Sequence, residues 1–295
     1  PPPPPPHPPT PPTNTRVGSS AASDVYKRQG LMIAAFAKAG RAFGEEKYIL
    51  AAKQADAFVR SKMKRGERTL WHRWREGERA VPGHLEDYAF MIFGLIELYE
   101  STFDAAYLEA ALDYNAILTE SFRDEVRGGY YMTADDAEEL IIRPKELYDG
   151  AIPSGNSVQL YNLLRLARLT GRPDLEKLAS ETAKAFGGTI ERSPSNFSQA
   201  LIALQFATDE TIEIVVVGKT DDEGTLAMLN HINSIYEPGK VVLFKNPENA
   251  AMLAELAPFT KEQEMVDGKA TAYLCRNHAC EQPINSLDEL KSRLK

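Results

Sequence analysis

Between residues 30 and 206 the apolar side chains recur at helical spacing in seven segments of two alternating kinds. Segments 30–40, 85–99, 156–170 and 197–206 are apolar on nearly every side. Leu31, Met32, Ile33 and Phe36 mark the first, and Tyr88, Phe90, Met91, Ile92, Phe93, Leu95, Ile96 and Leu98 the second. Segments 46–64, 104–120 and 173–186 carry a single stripe, such as Leu175, Leu178, Ala179, Thr182 and Phe186. A helix apolar all round must be covered all round, whereas a one-striped helix keeps a face in water. The order is therefore inner, outer, inner, outer, inner, outer, inner.

Links from inner to outer segments are short (41–45, 101–103 and 171–172), which makes antiparallel hairpins. Links from outer to inner are long (65–83, 121–155 and 187–196). Two helical layers in this order predict a mainly α chain, an incomplete α/α toroid whose parallel inner helices run around an axis. The long links then emerge together at the N-terminal ends of the inner helices, and chemistry is expected on that rim. After residue 209 the period changes. Apolar, β-branched runs at 212–217, 241–244 and 271–275 alternate with helical patterns at 222–236, 248–256 and 286–294. This predicts a small, mainly parallel α/β unit. The expected division is a tail at 1–29, a partial toroid at 30–209 and the α/β unit at 210–295.

Ten of the 19 prolines lie within residues 1–12, and 13–29 is polar and aperiodic, so 1–29 is expected to be disordered. Ser19-Ser20-Ala21-Ala22-Ser23-Asp24-Val25-Tyr26-Lys27-Arg28-Gln29 resembles translated adapter sequence of the kind fused to metagenomic reads. The chain is therefore expected to be a fragment whose natural start is missing. A net charge of −8, from 34 basic and 42 acidic residues, argues against a nucleic-acid binder. No apolar run reaches the roughly 20 residues of a membrane-spanning helix. Cys275, His278 and Cys280 lack the fourth ligand of a structural zinc site, and Cys-x4-Cys is not the usual redox spacing. Reduced cysteines are expected, with neither metal nor cofactor, and their scarcity favours a reducing, cytoplasmic compartment. Gly218-Lys219-Thr220 lacks the upstream glycine of a phosphate loop, because Glu213 stands in its place.

Two stretches on the predicted rim carry candidate chemistry. Trp71-His72-Arg73-Trp74-Arg75 leads to Pro82-Gly83-His84-Leu85-Glu86-Asp87-Tyr88. Aromatic rings stack on sugars, and carboxylates serve as general acids or bases. Glu86 and Asp87 lie about 100° apart on a helix, so at most one faces a given reacting atom. The other stretch is Asp149-Gly150-Ala151-Ile152-Pro153-Ser154-Gly155-Asn156-Ser157. Asp87, Glu86 and Asp149 are the candidate catalytic groups; Trp71, Trp74, Arg75, His84, Tyr88 and Asn156 are the candidate sugar contacts. Against this stand plain structural roles: acids in a first helical turn complement its dipole, and Asn156 suits a cap. Asp124, in Arg123-Asp124-Glu125-Val126-Arg127-Gly128-Gly129, is expected to build a hairpin rather than react.

These motifs resemble the thioredoxin-domain-containing family of the spermatogenesis-associated type. The resemblance rests on Leu70-Trp71-His72-Arg73-Trp74-Arg75-Glu76-Gly77, on Gly83-His84-Leu85-Glu86-Asp87-Tyr88-Ala89-Phe90, on the Asp149–Ser157 stretch and on Tyr273-Leu274-Cys275 through Cys280 and Pro283. It implies an (α/α)6 toroid of six-hairpin glycosidase-like, N-acylglucosamine 2-epimerase-like form. It also implies a thioredoxin-like domain ahead of the toroid and missing from this chain, and a cavity faced by Glu86, Asp87, Asp149 and Asn156. Two functions stay open: a carbohydrate-active enzyme with a sugar substrate, and a non-catalytic scaffold serving the attached redox domain. Neither nucleic acid nor membrane is an expected partner.

Overall fold

The computed structural model describes residues 19–137, 142–276 and 279–294, with side chains from residue 28 onward. The proline-rich stretch at 1–12 and His278 lie outside the described residues. Seven of the described helices form an arc: α1 (Ser19–Phe43), α2 (Glu46–Lys62), α3 (Leu85–Thr102), α4 (Ala105–Ser121), α5 (Gly155–Thr170), α6 (Pro173–Arg192) and α7 (Ser198–Thr208). α1, α3, α5 and α7 pack side by side as the inner layer, and α2, α4 and α6 return outside them. The inner helices α3 and α5 run parallel: Asn162, midway along α5, donates to the Ala89 carbonyl near the start of α3, and Arg165 meets Glu97 further along both. This is the two-layer arrangement of an incomplete α/α toroid.

The hairpin turns follow from local chemistry. α3 ends at Phe103 and α5 at Gly171, both in the left-handed region that stops a helix. Asp104 and Ser154 cap α4 and α5 by accepting backbone N–H groups, and Pro173 opens α6. Where α1 crosses α3 the backbones touch. A Cβ on Gly94 would stand 2.8 Å from the Gly30 carbonyl oxygen, and one on Gly30 would stand 2.3 Å from the Phe90 carbonyl carbon. Burial is not complete around the outermost inner helices. Met32 on α1 is 52% exposed and Ile202 on α7 is 50% exposed, because no described element covers those flanks.

Three expectations need correction. Residues 19–29 are not a coil but the first turns of α1. The stretch holds no glycine or proline, and extending an existing helix costs far less than nucleating one. The link at 65–83 is not a loop but a small antiparallel sheet with β1 (Lys64–Arg65), β2 (Thr69–Arg75) and β3 (Glu78–Pro82). Its two-residue turn has Glu76 at φ 52° and Gly77 at φ 89°, the twist that suits a tight hairpin. The third correction concerns the α/β unit.

That unit comprises β4 (Ile212–Val217), α8 (Glu223–Ser234), β5 (Lys240–Lys245), α9 (Ala250–Leu256), β6 (Thr271–Arg276), β7 (Ala279–Cys280) and α10 (Leu287–Arg293). The sheet order is β5-β4-β6-β7, and only β4 and β5 are parallel. The sheet is mixed rather than mainly parallel because α9, at about 10 Å, is too short to carry the chain back along a strand of about 20 Å. Cys275 lies opposite Cys280 across the β6–β7 ladder, and the two form a disulfide, not the expected pair of thiols. One face of the sheet, with Val215, Val217, Val241 and Leu243, joins the core of the helical arc. The other, with Ile214, Val216, Val242 and Phe244, is covered by Met228 and Ile232 of α8 and Leu290 of α10. Among the described residues no helix is long and apolar enough to cross a membrane.

Candidate functional site

Strand β2 alternates, turning Leu70 and His72 inward and leaving Trp71 and Arg73 half-buried. This aims His72 at the first turn of α3. There Asp87 accepts at one carboxylate oxygen, Oδ2, from the backbone N–H of His84 at 2.7 Å and pairs with His72 Nδ1 at 2.7 Å. His84 returns the contact, its ring accepting from the backbone N–H of Asp87, so the two residues cap α3 reciprocally. The rings of His72 and His84 stack with centroids 4.4 Å apart and planes 26° from parallel. His72 and Asp87 are buried and His84 is half-buried. With Nδ1 donating to the carboxylate, Nε2 is the basic nitrogen of a neutral His72.

Donor atoms of His72, His84 and Asp87 lie within 4.8 Å of one another, close enough to suggest a metal site. The ring geometry argues otherwise. A tetrahedral ion needs ligand directions roughly 109° apart, and lone pairs lie in the imidazole plane. Two rings stacked 4.4 Å apart and only 26° from parallel hold a shared ion out of the plane of at least one of them. The contacts the cluster makes are an imidazole–carboxylate pair and a helix cap.

The remaining candidate residues divide sharply. Trp71 and Trp74 are half-buried; Trp71 lies beside the Arg65 guanidinium at 5.5 Å, and Trp74 meets Phe58 edge to face. Arg75 ends β2 on the surface, 3.6 Å from Glu76. Glu86 is half-buried, and a Cβ on Gly155 would stand 3.2 Å from its Cγ, so α5 begins against it. Tyr88 is buried, its hydroxyl accepting from the Leu70 backbone N–H, and burial pushes that phenol up to about 12. Asn156 is fully buried and clamps the Tyr130 backbone from both sides, while also donating to the Glu146 carbonyl. Asp149 accepts from Ser154 N–H at Oδ1 and from Gln199 and Ala200 N–H at Oδ2. Asp87 and Asp149 thus share one rim, at the N-terminal ends of parallel helices, yet both oxygens of Asp149 are engaged by backbone. Asp124 accepts from Val126 and Arg127 N–H and pairs with Tyr131 and Lys145, which makes it the hub of a hairpin.

A second polar cluster went unread in the sequence. Arg165 bridges Glu97 at 2.7 Å and Glu100 at 2.9 Å, and Arg41 reaches the same two carboxylates at 2.9 and 3.0 Å. It ties α1, α3 and α5 together inside the arc. Burial alone would raise Glu97, but Arg165, Arg41 and Lys38 outweigh it and hold the carboxyl at about 2. The available signal was two acids, Glu97 and Glu100, inside a segment otherwise apolar all round.

An arc of helical hairpins with a mixed α/β sheet docked on it defines the class: a partial α/α toroid protein. No family model matches the chain. Its sequence is 34% identical over 275 residues to spermatogenesis-associated protein 20 of Rattus norvegicus, covering 90% of this chain and 35% of that one. The spermatogenesis-associated resemblance seen in the motifs is therefore confirmed, and the chain spans about a third of the length of the curated relatives it matches. Among solved structures it is similar to a GH76 α-mannanase of Bacteroides thetaiotaomicron, with TM-score 0.49 and 16% identity over 71% of this chain and 56% of that one. It is also similar to cellobiose 2-epimerase of Spirochaeta thermophila, with TM-score 0.44 and 21% identity over 55% and 42% of the two chains.

Proposed function

We propose that the rim at the start of α3 is the working face of a carbohydrate-active protein of epimerase or hydrolase type. The buried His72–Asp87 pair with His84 stacked upon it carries this reading. Imidazole is the side chain whose ordinary pKa suits proton transfer near neutrality, and a carboxylate on one nitrogen fixes the other as base. His84, its accepting nitrogen occupied by the Asp87 N–H, carries the proton of its neutral form on the other nitrogen and can act as the donor. Glu86 is the second acid–base candidate, and Trp71 and Trp74 offer ring faces of the kind that pack on sugars. Asp149, Tyr88 and Asn156 hold the rim in shape. Calorimetric titration of the full-length protein with mono- and oligosaccharides tests the reading. Saccharide binding with turnover that His72→Gln abolishes is the expected result; absence of any saccharide binding overturns it.

A second reading has its own support. Three expected site residues are satisfied within the protein, as a scaffold requires. In that case the toroid presents partners to an attached thioredoxin-like domain, and full-length protein with His72→Gln keeps its function unchanged.

A further inference from the structure

We infer that the Cys275–Cys280 disulfide is a thiol-exchange site, opened by a protein dithiol of Cys-x-x-Cys type that attacks Cys280. The two sulfurs are presented unequally. Cys275 is 3% exposed in β6, whereas Cys280 is exposed on β7, a two-residue strand at the sheet edge. A pocket of about 200 Å³ opens beside both cysteines and is lined by Arg168, Gly171, Glu213 and Phe259. Glu213 faces Cys275 across the ladder from β4, so Glu213, Cys275 and Cys280 form one row on the side of the sheet that meets the end of α5.

Exposure selects the sulfur that is attacked. The incoming thiolate bonds to Cys280 Sγ, the Cys275–Cys280 bond breaks, and its electron pair leaves on Cys275 Sγ. Negative charge then develops in a pocket where the Arg168 guanidinium is shared with Glu176 and Glu213 at 3.5 and 3.6 Å, so the exposure of Cys280, not the charge around Cys275, sets the direction of attack. The reductant's second thiolate next attacks its own sulfur in the mixed disulfide and releases Cys280. The dithiol is oxidised to a disulfide, and its two protons end on Cys275 and Cys280.

The hairpin also determines what class of reductant succeeds. After the first attack Cys275 remains opposite Cys280 in the same ladder, at very high effective concentration. A monothiol adduct is expelled before a second molecule arrives. A reductant carrying its own second thiol competes with Cys275 within the adduct, and the pocket gives one of its side chains a seat beside the bond.

The test uses the whole chain, air-oxidised, and a thioredoxin-type protein whose second active-site cysteine is serine. Quenched with acid, which protonates the released Cys275 before it can expel this single-thiol partner, the reaction is expected to yield the mixed disulfide on Cys280 by proteolysis and mass mapping. The intact trapping partner is expected to reduce the bond fully, while reduced glutathione at equal thiol concentration leaves it closed. An adduct on Cys275 overturns the inference. So does an absence of adduct when the urea-unfolded oxidised chain reacts, equal reduction by glutathione, or two free thiols in the air-oxidised chain.

Discussion

Asp149 Oδ2 accepts the backbone N–H of Ala200, 51 residues further along the chain. Helix α7 starts at Ser198 after Phe197, which supplies no side-chain cap, so a residue from the 121–155 link, two helices earlier, does the capping. Asp149→Ala removes acceptors from three backbone N–H groups and is expected to cost about 2–3 kcal/mol. Urea unfolding checks this: the midpoint falls with the slope unchanged. A midpoint equal to that of the wild type removes the capping role and returns Asp149 to the catalytic candidates.

The buried network around Arg165 makes a steeper prediction. Arg165→Met leaves Glu97 and Glu100 facing only Arg41 and Lys38, and losing one partner of a buried ionic group costs about 3–5 kcal/mol. The wild type carries the matching pH dependence. Glu97 is held at about 2 in the fold against 4.5 as its ordinary value. Its contribution is therefore complete above pH 4.5 and is lost as pH falls towards 2. Acid titration of folding, compared between the wild type and Glu97→Gln, reads this directly, and parallel curves contradict it.

Lys240 shifts stability in the same direction at the other end of the pH range. Its ammonium donates to the Ile232 and Ile235 carbonyls at the end of α8, and burial lowers it to about 8. Between pH 8 and 10.5 the unfolded chain binds more protons at this site than the folded one, so this residue's contribution to stability rises with pH across that window. Relative to Lys240→Met, the wild type is expected to gain thermal stability from pH 8 to 10.

The α1–α3 crossing is a steric prediction. Gly94→Ala places a methyl 2.8 Å from the Gly30 carbonyl oxygen and 3.0 Å from Ile33 Cγ2. Overpacking of this kind costs about 1–3 kcal/mol. Gly188→Ala, where the nearest atom is 3.9 Å away at the end of Arg192, is expected to be neutral or stabilising. Equal melting temperatures for the two variants count against the close contact.

The hairpin order was legible because burial in a two-layer helical arc writes itself as a switch between all-round and one-sided apolar patterns. The segment at 85–99 illustrates it: α3 is buried on nearly all positions from Leu85 to Glu100. Strands β2 and β3 were missed because their alternation is carried by His72, Trp74 and arginines rather than by aliphatic residues, although Glu76-Gly77 between them is a turn signal. The candidate site was legible only in outline. His72, Asp87 and His84 were visible as neighbours in two motifs, but Asp149 and Asn156 look alike as reactive groups or as anchors until their backbone partners are known. The disulfide escaped because a spacing of five residues says nothing about pairing until the register of β6 and β7 aligns the two positions.

Finally, Glu100 bonds not only within the arc but also to the Val242 N–H in the middle of β5, and Val215, Val241 and Leu243 complete the same apolar interior as α3 and α5. The division near residue 209 therefore separates two topologies without separating two melting units. Calorimetry of this chain should trace a single endotherm, with toroid and sheet losing their protected amides together.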